Sequence, residues 1–524
     1  MAPQDLDSEN QETDPKRDNG GLPGMFSAVR WRVAVCGFFG ILVSQTFRVS
    51  FTVGVSCMVG SHSMLQENLT TLPVPGHGYQ RTWNTSWNGN FSGIVETNST
   101  EIQGEFQWDK KAQATLLSAY FYGYLVSQVP GGWLSRRYGT RWVVAIAMMV
   151  AMACTALTPI CARTHMYLLF AIRVILGAVQ GTFFPSLFNM AVRWVPPLET
   201  ARFVAVVIAG FPIGQVVTFP VSGLLCQYGF DRGWGSIFYV FALTSLVWIV
   251  AWLYTVYDTP LQHPRISKAE REYIMARIAR IESKQDQRKM APWCSILASP
   301  PVWGTALGYF GIDWVNNTFS LGIILYMGEV LKFKITSSGI IGSLPPIVYF
   351  ISSMFVGCLS DFILKKKALS RVNTRRLFQT LSFMPMGILM AATGFVTKEH
   401  ASLAVAFLVI SQMFFGLSRA GFLISVMDFA PRFAGEISGV LNIFGTMTGL
   451  FVPLAIGTLT PNGTQAEWRT IFLIGGGVAI IGAVGFCIFA RGEVQLWAKV
   501  REVNPEMEIM VDEKTDKREQ KTSA

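Results

Sequence analysis

The chain is 524 residues long, 51% hydrophobic and only 15% charged, with a formal net charge of +10, whereas an average soluble domain is about 25% charged. That balance excludes a disordered protein and an ordinary soluble enzyme. The basic residues are scattered over short segments between apolar runs and never gather on one face, which argues against nucleic acid as a partner and for a lipid bilayer.

The first 22 residues are polar and acidic and lack the apolar core of a signal peptide, so insertion is expected to begin with the first spanning helix. Apolar runs long enough for about 30 Å of hydrocarbon predict twelve helices, at about 33–59, 112–134, 142–161, 166–190, 203–226, 235–257, 301–327, 337–362, 376–397, 401–425, 435–459 and 469–490. The reading is an all-α membrane protein of twelve transmembrane helices in two six-helix bundles. A cytoplasmic tail, 1–32, precedes the first bundle, 33–257, which carries an outer loop at 60–111. A linker, 258–300, leads to the second bundle, 301–490, and a cytoplasmic tail, 491–524, follows.

With both termini in the cytoplasm, most of the 43 Lys and Arg fall on the cytoplasmic side, the positive-inside pattern. The same topology puts outside the Asn-x-Ser/Thr sequons at Asn68, Asn84, Asn90, Asn98 and Asn462, which are expected to be glycosylated. Gly131-Gly132 and the arginines after helix two are echoed after helix eight by Gly357 and Lys365-Lys366-Lys367. Such an echo implies two related bundles with substrate bound between them near the midplane. In the linker, Ser267-x-x-Glu270 reads as a capping box. Tyr273, Ile274, Ile278 and Ile281 follow at helical spacing, predicting an amphipathic helix on the inner membrane surface or on the bundle. The eight cysteines have no metal-ligand spacing and read as small hydrophobes of a helix bundle. No metal or cofactor is expected.

Three basic residues lie within helices: Arg48, Arg173 and Arg419. Ionisable groups at such depth are costly and mark function. The neighbouring acids, Asp313, Glu329, Asp361, Asp428 and Glu436, read as near helix ends, and an anion is therefore expected to fill a positive cavity. At ~1.5 Å per residue, Arg48 lies roughly 16 Å and Arg173 about 10 Å below the outer ends of their helices, while Arg419 is ~27 Å from its own. Arginine's planar fork binds carboxylate or phosphate bidentately without losing its charge. Gln45, Tyr122, Gln180, Phe184, Asn316 and Asn317 are the expected lining, and Arg419, Asp361, Asp428 and Arg432 are expected to gate or to brace.

At these residues the chain resembles the anion:cation symporter branch of the major facilitator superfamily, the relatives of sialin, the vesicular glutamate transporters and the sodium-phosphate cotransporters. The likeness runs over about residues 30 to 490. It rests on Arg48-Val49-Ser50, Phe121-Tyr122-Gly123-Tyr124, Gln128-Val129-Pro130-Gly131-Gly132, Arg173, Trp194-Val195-Pro196-Pro197-Leu198-Glu199, His263-Pro264-Arg265-Ile266-Ser267, Pro292-Trp293 and Asp428-Phe429-Ala430-Pro431-Arg432. It implies the major facilitator fold, alternating access and anion binding by Arg48 and Arg173. Where sialin-like members carry two glutamates after the helix-four arginine, this chain has Leu176 and Gln180. Leu117 stands where the glutamate transporters have histidine, and Ile312 where they have arginine. Trp314-Val315-Asn316-Asn317 replaces the usual aromatic-rich segment.

The expected function is secondary active transport of an organic anion or inorganic phosphate, driven by sodium or membrane potential. The alternatives are a proton-coupled, sialin-like exporter of acidic sugars or amino acids, and a non-transporting receptor or structural protein that keeps the fold. No nucleophile–base pair or phosphate-binding glycine loop points to an enzyme. The tails lack an acidic dileucine signal, so the plasma membrane is expected over a lysosomal or vesicular one.

Overall fold

The computed structural model describes residues 28–59, 104–285, 292–366, 369–418, 421–430 and 433–498. Span 1 is Val29–Val59, span 2 Lys110–Tyr138 and span 3 Thr140–Thr164. Span 4 runs Met166–Gly181 and Phe183–Trp194, span 5 Pro197–Ile208 and Gly210–Tyr228, and span 6 Trp234–Thr255. The linker helix, Lys268–Gln285, separates these from span 7, which runs Pro300–Asn317 and Ile323–Glu329 about a π-helical turn at Thr318–Gly322. Spans 8 to 12 are Ile335–Gly342 with Leu344–Lys365, Arg371–Thr393, Ala401–Leu417 with Phe422–Phe429, Ala434–Leu459, and Gln465–Phe489.

Nine of the described helices are long and apolar enough to cross a membrane. Spans 2, 7 and 9 fall short because they carry polar side chains such as Gln128, Asn317, Arg375 and Gln379, all of them buried between helices.

Each bundle packs on its own contacts, and the two meet along two seams, span 2 on span 11 and span 5 on span 8. A shift of six spans exchanges one seam for the other, as two related halves require. Lipid supplies no hydrophobic force between helices, so close backbone approach at small residues takes its place. A Cβ on Gly449 would lie 2.0 Å from the Phe121 ring, and one on Gly339 would lie 2.6 Å from the Phe219 carbonyl.

The linker helix docks on the bundle. Ile274 is fully buried, and the Ser267 hydroxyl accepts from the Glu270 amide at 3.2 Å. Only that half of the expected capping box forms. The Glu270 carboxylate turns instead to the start of span 1, accepting from the amides of Val29 (3.0 Å) and Arg30 (3.1 Å) and from the Arg30 guanidinium (3.1 Å). Span 1 begins there with unsatisfied N–H groups, and a carboxylate satisfies them better than its own helix needs. Arg30 also pairs with Glu199 at 2.8 Å, and Glu199 accepts from the Tyr273 hydroxyl at 2.9 Å.

One expectation about cysteine is corrected. Cys57 and Cys226, 169 residues apart, form a disulfide that joins spans 1 and 5 at the end of the bundle bearing the 60–109 connection, called here the loop end. Cys36, Cys154 and Cys161 are free and buried.

Candidate anion site between the bundles

Span 1 carries Ser44, Gln45 and Arg48 on one face, and span 2 brings Tyr120 and Tyr124, four residues apart, to meet them. With Gln180, Phe184 and Phe211 these side chains, all from the first bundle, line a small pocket of about 20 Å³, room for little more than a water molecule. Three aromatic residues, Phe183, Phe184 and Phe211, wall one side. Tyr120 and Tyr124 stack with ring centroids 5.6 Å apart.

Arg48 is the cation in this wall. Its Nη2 donates to Asn317 Oδ1 across the bundle interface, and its guanidinium lies 4.8 Å from the Phe121 ring centroid. Asn317 is fixed in turn by donating to Thr448 Oγ1 at 2.7 Å. Among the described residues no carboxylate forms an ion pair with Arg48, and its buried Nε has no acceptor. A planar cation held by one neutral amide and an aromatic face keeps its charge for an incoming anion.

Arg173 stands one layer back. It is buried beneath Tyr120, its Nη1 donates to the Phe47 carbonyl at 3.3 Å, and its guanidinium lies 3.9 Å from the Phe51 centroid. Tyr120 lies within electrostatic range of both arginines. Arg173 thus adds positive potential while bracing span 1 where Arg48 projects.

Of the other expected residues, Gln45, Gln180 and Phe184 line the cavity, Gln180 accepting from the Ser44 hydroxyl. Tyr122 does not join them: it is 43% exposed on the far side of span 2, beside Phe170. Asn316 is half-buried, about 100° around the helix from Asn317. Asp428 is paired with Arg375 at 2.8 Å inside the second bundle. Asp361 falls within span 8 with its side chain outside the described residues, as are Arg419, Arg432, Asn68, Asn84, Asn90 and Asn98. Asn462 is described: its side-chain amide donates to Glu467 at 3.0 Å.

Asp313 corrects the reading of the acids. It is not near a helix end but about midway along span 7, one turn from Asn317 on the same face. Also unforeseen, Lys110 of span 2 pairs with Glu329 of span 7, and Thr336 of span 8 donates to Gln227 in the last turn of span 5. Both contacts clamp the two bundles together at the loop end.

The profile described as Major Facilitator Superfamily matches residues 88–453. The chain is 36% identical over 479 residues to an uncharacterized transporter, slc-17.2, of Caenorhabditis elegans, covering 91% of this chain and 94% of that one. The chain belongs to the anion:cation symporter branch of the major facilitator superfamily. Human sialin is 32% identical across 90% of this chain and 91% of its own length. A putative inorganic phosphate cotransporter of Drosophila ananassae is 33% identical across 75% and 82%. Among solved structures, an inward-facing bacterial homolog of the lysosomal transporter Spinster superposes with a TM-score of 0.64 at 12% identity, covering 89% of this chain and 98% of that one. That likeness is one of fold.

Proposed function

We infer that this protein is a secondary active transporter of an anion, organic or inorganic phosphate, moved by rocking of the two bundles about the cavity at Arg48. The observation that carries this reading is Arg48 itself: a cation deep in a membrane span, in the cavity wall, bonded across the bundle interface to Asn317. An anion that takes the guanidinium from Asn317 loosens a contact between halves, so binding and rocking are linked. Relatives named as sialin and as a phosphate cotransporter support the class of substrate.

The charge asymmetry and the sequons support an orientation with the linker helix and both termini in the cytoplasm and the loop end outside. The Cys57–Cys226 disulfide at the loop end fits an oxidising, non-cytoplasmic face. The plasma membrane is our assignment, and surface biotinylation of glycosylated chains checks it. The test of function is uptake of labelled phosphate, urate, glutamate and sialic acid into proteoliposomes, with and without sodium and a pH gradient. Transport of none of the four, or undiminished transport by both Arg48→Ala and Arg173→Ala, would sink the reading.

A further inference from the structure

In this conformation the pocket beside Arg48 has room for little more than a water molecule, so an anion enters only when the bundles part. The seam between spans 2 and 11 shows which end is shut. At the loop end a Cβ on Gly457 would lie 2.3 Å from the Ala114 Cβ and 2.7 Å from the Lys110 carbonyl oxygen. Deeper along the seam, Gln128 donates to Thr446 and accepts from Asn442, both at 2.7 Å. About one turn further toward the linker end, Gly439 is exposed and has nothing within 4 Å of a Cβ.

Across the shut end runs Lys110–Glu329, the one ion pair among the described residues that joins the two bundles. Each charge stands at the end of its helix that disfavours it. Lys110 opens span 2, where the helix dipole is positive, and Glu329 closes span 7, where it is negative. Neither placement serves its own helix; both serve the pairing across the seam. Glu329 is also held from its own bundle, its Oε2 accepting from Trp468 Nε1 at 3.0 Å. Trp468 is 1% exposed and packs on Tyr326 and Phe472 with ring centroids 5.5 and 5.9 Å away. Glu329 is thus the fixed half of the pair, and Lys110 is the half that leaves with the other bundle. The two side chains are 20% and 21% exposed, so water replaces each partner as the bundles part. The Arg30–Glu270 pair, with Glu270 1% exposed, has no such exit and stays within the first bundle and its linker.

We propose that Lys110 and Glu329, with Trp468 as the positioning residue, form an outer lock that keeps the loop end shut while the site faces the linker end. Its opening is the step that admits the anion from the loop side. Span 7 carries both of its own ties to the first bundle, Asn317 on Arg48 and Glu329 on Lys110, with the π-helical turn at Thr318–Gly322 between them. An anion that takes Arg48 from Asn317 leaves the lock to carry more of the closure. The inference rests on the anion-transport reading, with the loop end outside, and adds the residues that set which side the site faces.

The test uses right-side-out vesicles from cells expressing the full-length chain, with Leu117→Cys as reporter and a membrane-impermeant maleimide outside. Leu117 is 5% exposed and shares the seam face of span 2 with Ala114 and Phe121, and the bonded Cys57 and Cys226 do not react. The reporter alone is expected to label slowly. Lys110→Met and Glu329→Gln, which keeps an acceptor for Trp468, are each expected to speed labelling by about three- to fivefold. The double variant is expected to label no faster than either single one, because the pair is lost only once. Exposed Lys111→Ala is the control and should label at the rate of the reporter alone. Unchanged labelling in both single variants would overturn the proposal, as would effects that multiply in the double variant. Should the reporter fail to fold, the lock variants without it decide. A larger outward-facing fraction lowers the outer half-saturating concentration of the anion that wild type transports best and raises the inner one, and a change in maximal rate alone overturns the proposal. The labelling needs no anion, so a chain that moves none of phosphate, urate, glutamate and sialic acid loses the transport reading while the labelling still decides the lock.

Discussion

The crossing of spans 2 and 4 sets where Tyr120, Tyr124 and Arg173 stand, and Gly123, Gly177 and Gly181 permit it. A Cβ on Gly177 would lie 1.8 Å from the Tyr120 carbonyl oxygen and 2.7 Å from its carbon. Ordinary contact begins at 3.4 Å, so Gly177→Ala must push the helices apart by about 1.5 Å, and the obstacle is backbone that no rotamer change relieves. Overpacking of this kind costs about 1–3 kcal/mol, and a backbone clash belongs at about the upper end. Tyr120 is the residue displaced, and shifts of about 1 Å in positioning groups are worth as much as a hundredfold in rate. Gly177→Ala is therefore expected to lower the melting temperature of the purified protein by several degrees and anion transport by at least tenfold. Gly477, with nothing within 4 Å of a Cβ, supplies the control: Gly477→Ala should change stability by less than about 0.5 kcal/mol. Equal melting and equal transport by the two variants would refute this account of the crossing.

Three further outcomes follow from the contacts described. Glu270→Ala strips two amides at the start of span 1 and the buried Arg30 guanidinium of an acceptor, so a loss of about 2–4 kcal/mol is expected, against none for exposed Lys268→Ala in the same thermal melt. Replacing Cys57 and Cys226 together by serine should cost about 2–4 kcal/mol, and thiol counting before and after reduction checks that the wild-type pair is bonded. His263, on the linker beside Trp194 and Tyr257, is held below its ordinary pKa near 6.5 by burial. The unfolded chain protonates first as pH falls, so this residue's contribution is complete above about 6.5 and is lost below it; His263→Asn should flatten the melting profile between pH 7 and 5.

The spans were legible because a bilayer demands about 20 apolar residues at a time, and Arg48 was legible because charge at that depth is rare. Asn317 could be read as cavity lining, since an amide in lipid needs a partner, but not that its partner would be Arg48, 269 residues away. The run from Asp313 to Asn317 looks like an interruption in an apolar helix, which hid a carboxylate at mid-span. Tyr122 was chosen from an aromatic cluster in which only the four-residue spacing of Tyr120 and Tyr124 marks the inward face. The Cys57–Cys226 bond and the outward reach of Glu270 depend on which helix ends adjoin, and no local pattern encodes that. The Lys110–Glu329 clamp was hidden for the same reason, because each residue alone reads as a helix-end charge.

The central claim is that Arg48 holds the anion. An anion about 4 Å from a guanidinium in a medium of effective dielectric constant near 20 gains about 4 kcal/mol, close to a thousandfold in affinity. Equilibrium binding of the labelled anion that wild type transports best, measured on purified wild type and Arg48→Ala, tests this directly. The account predicts that the dissociation constant rises by two to three orders of magnitude (about 3–4 kcal/mol), and an unchanged constant in a folded Arg48→Ala protein would contradict it.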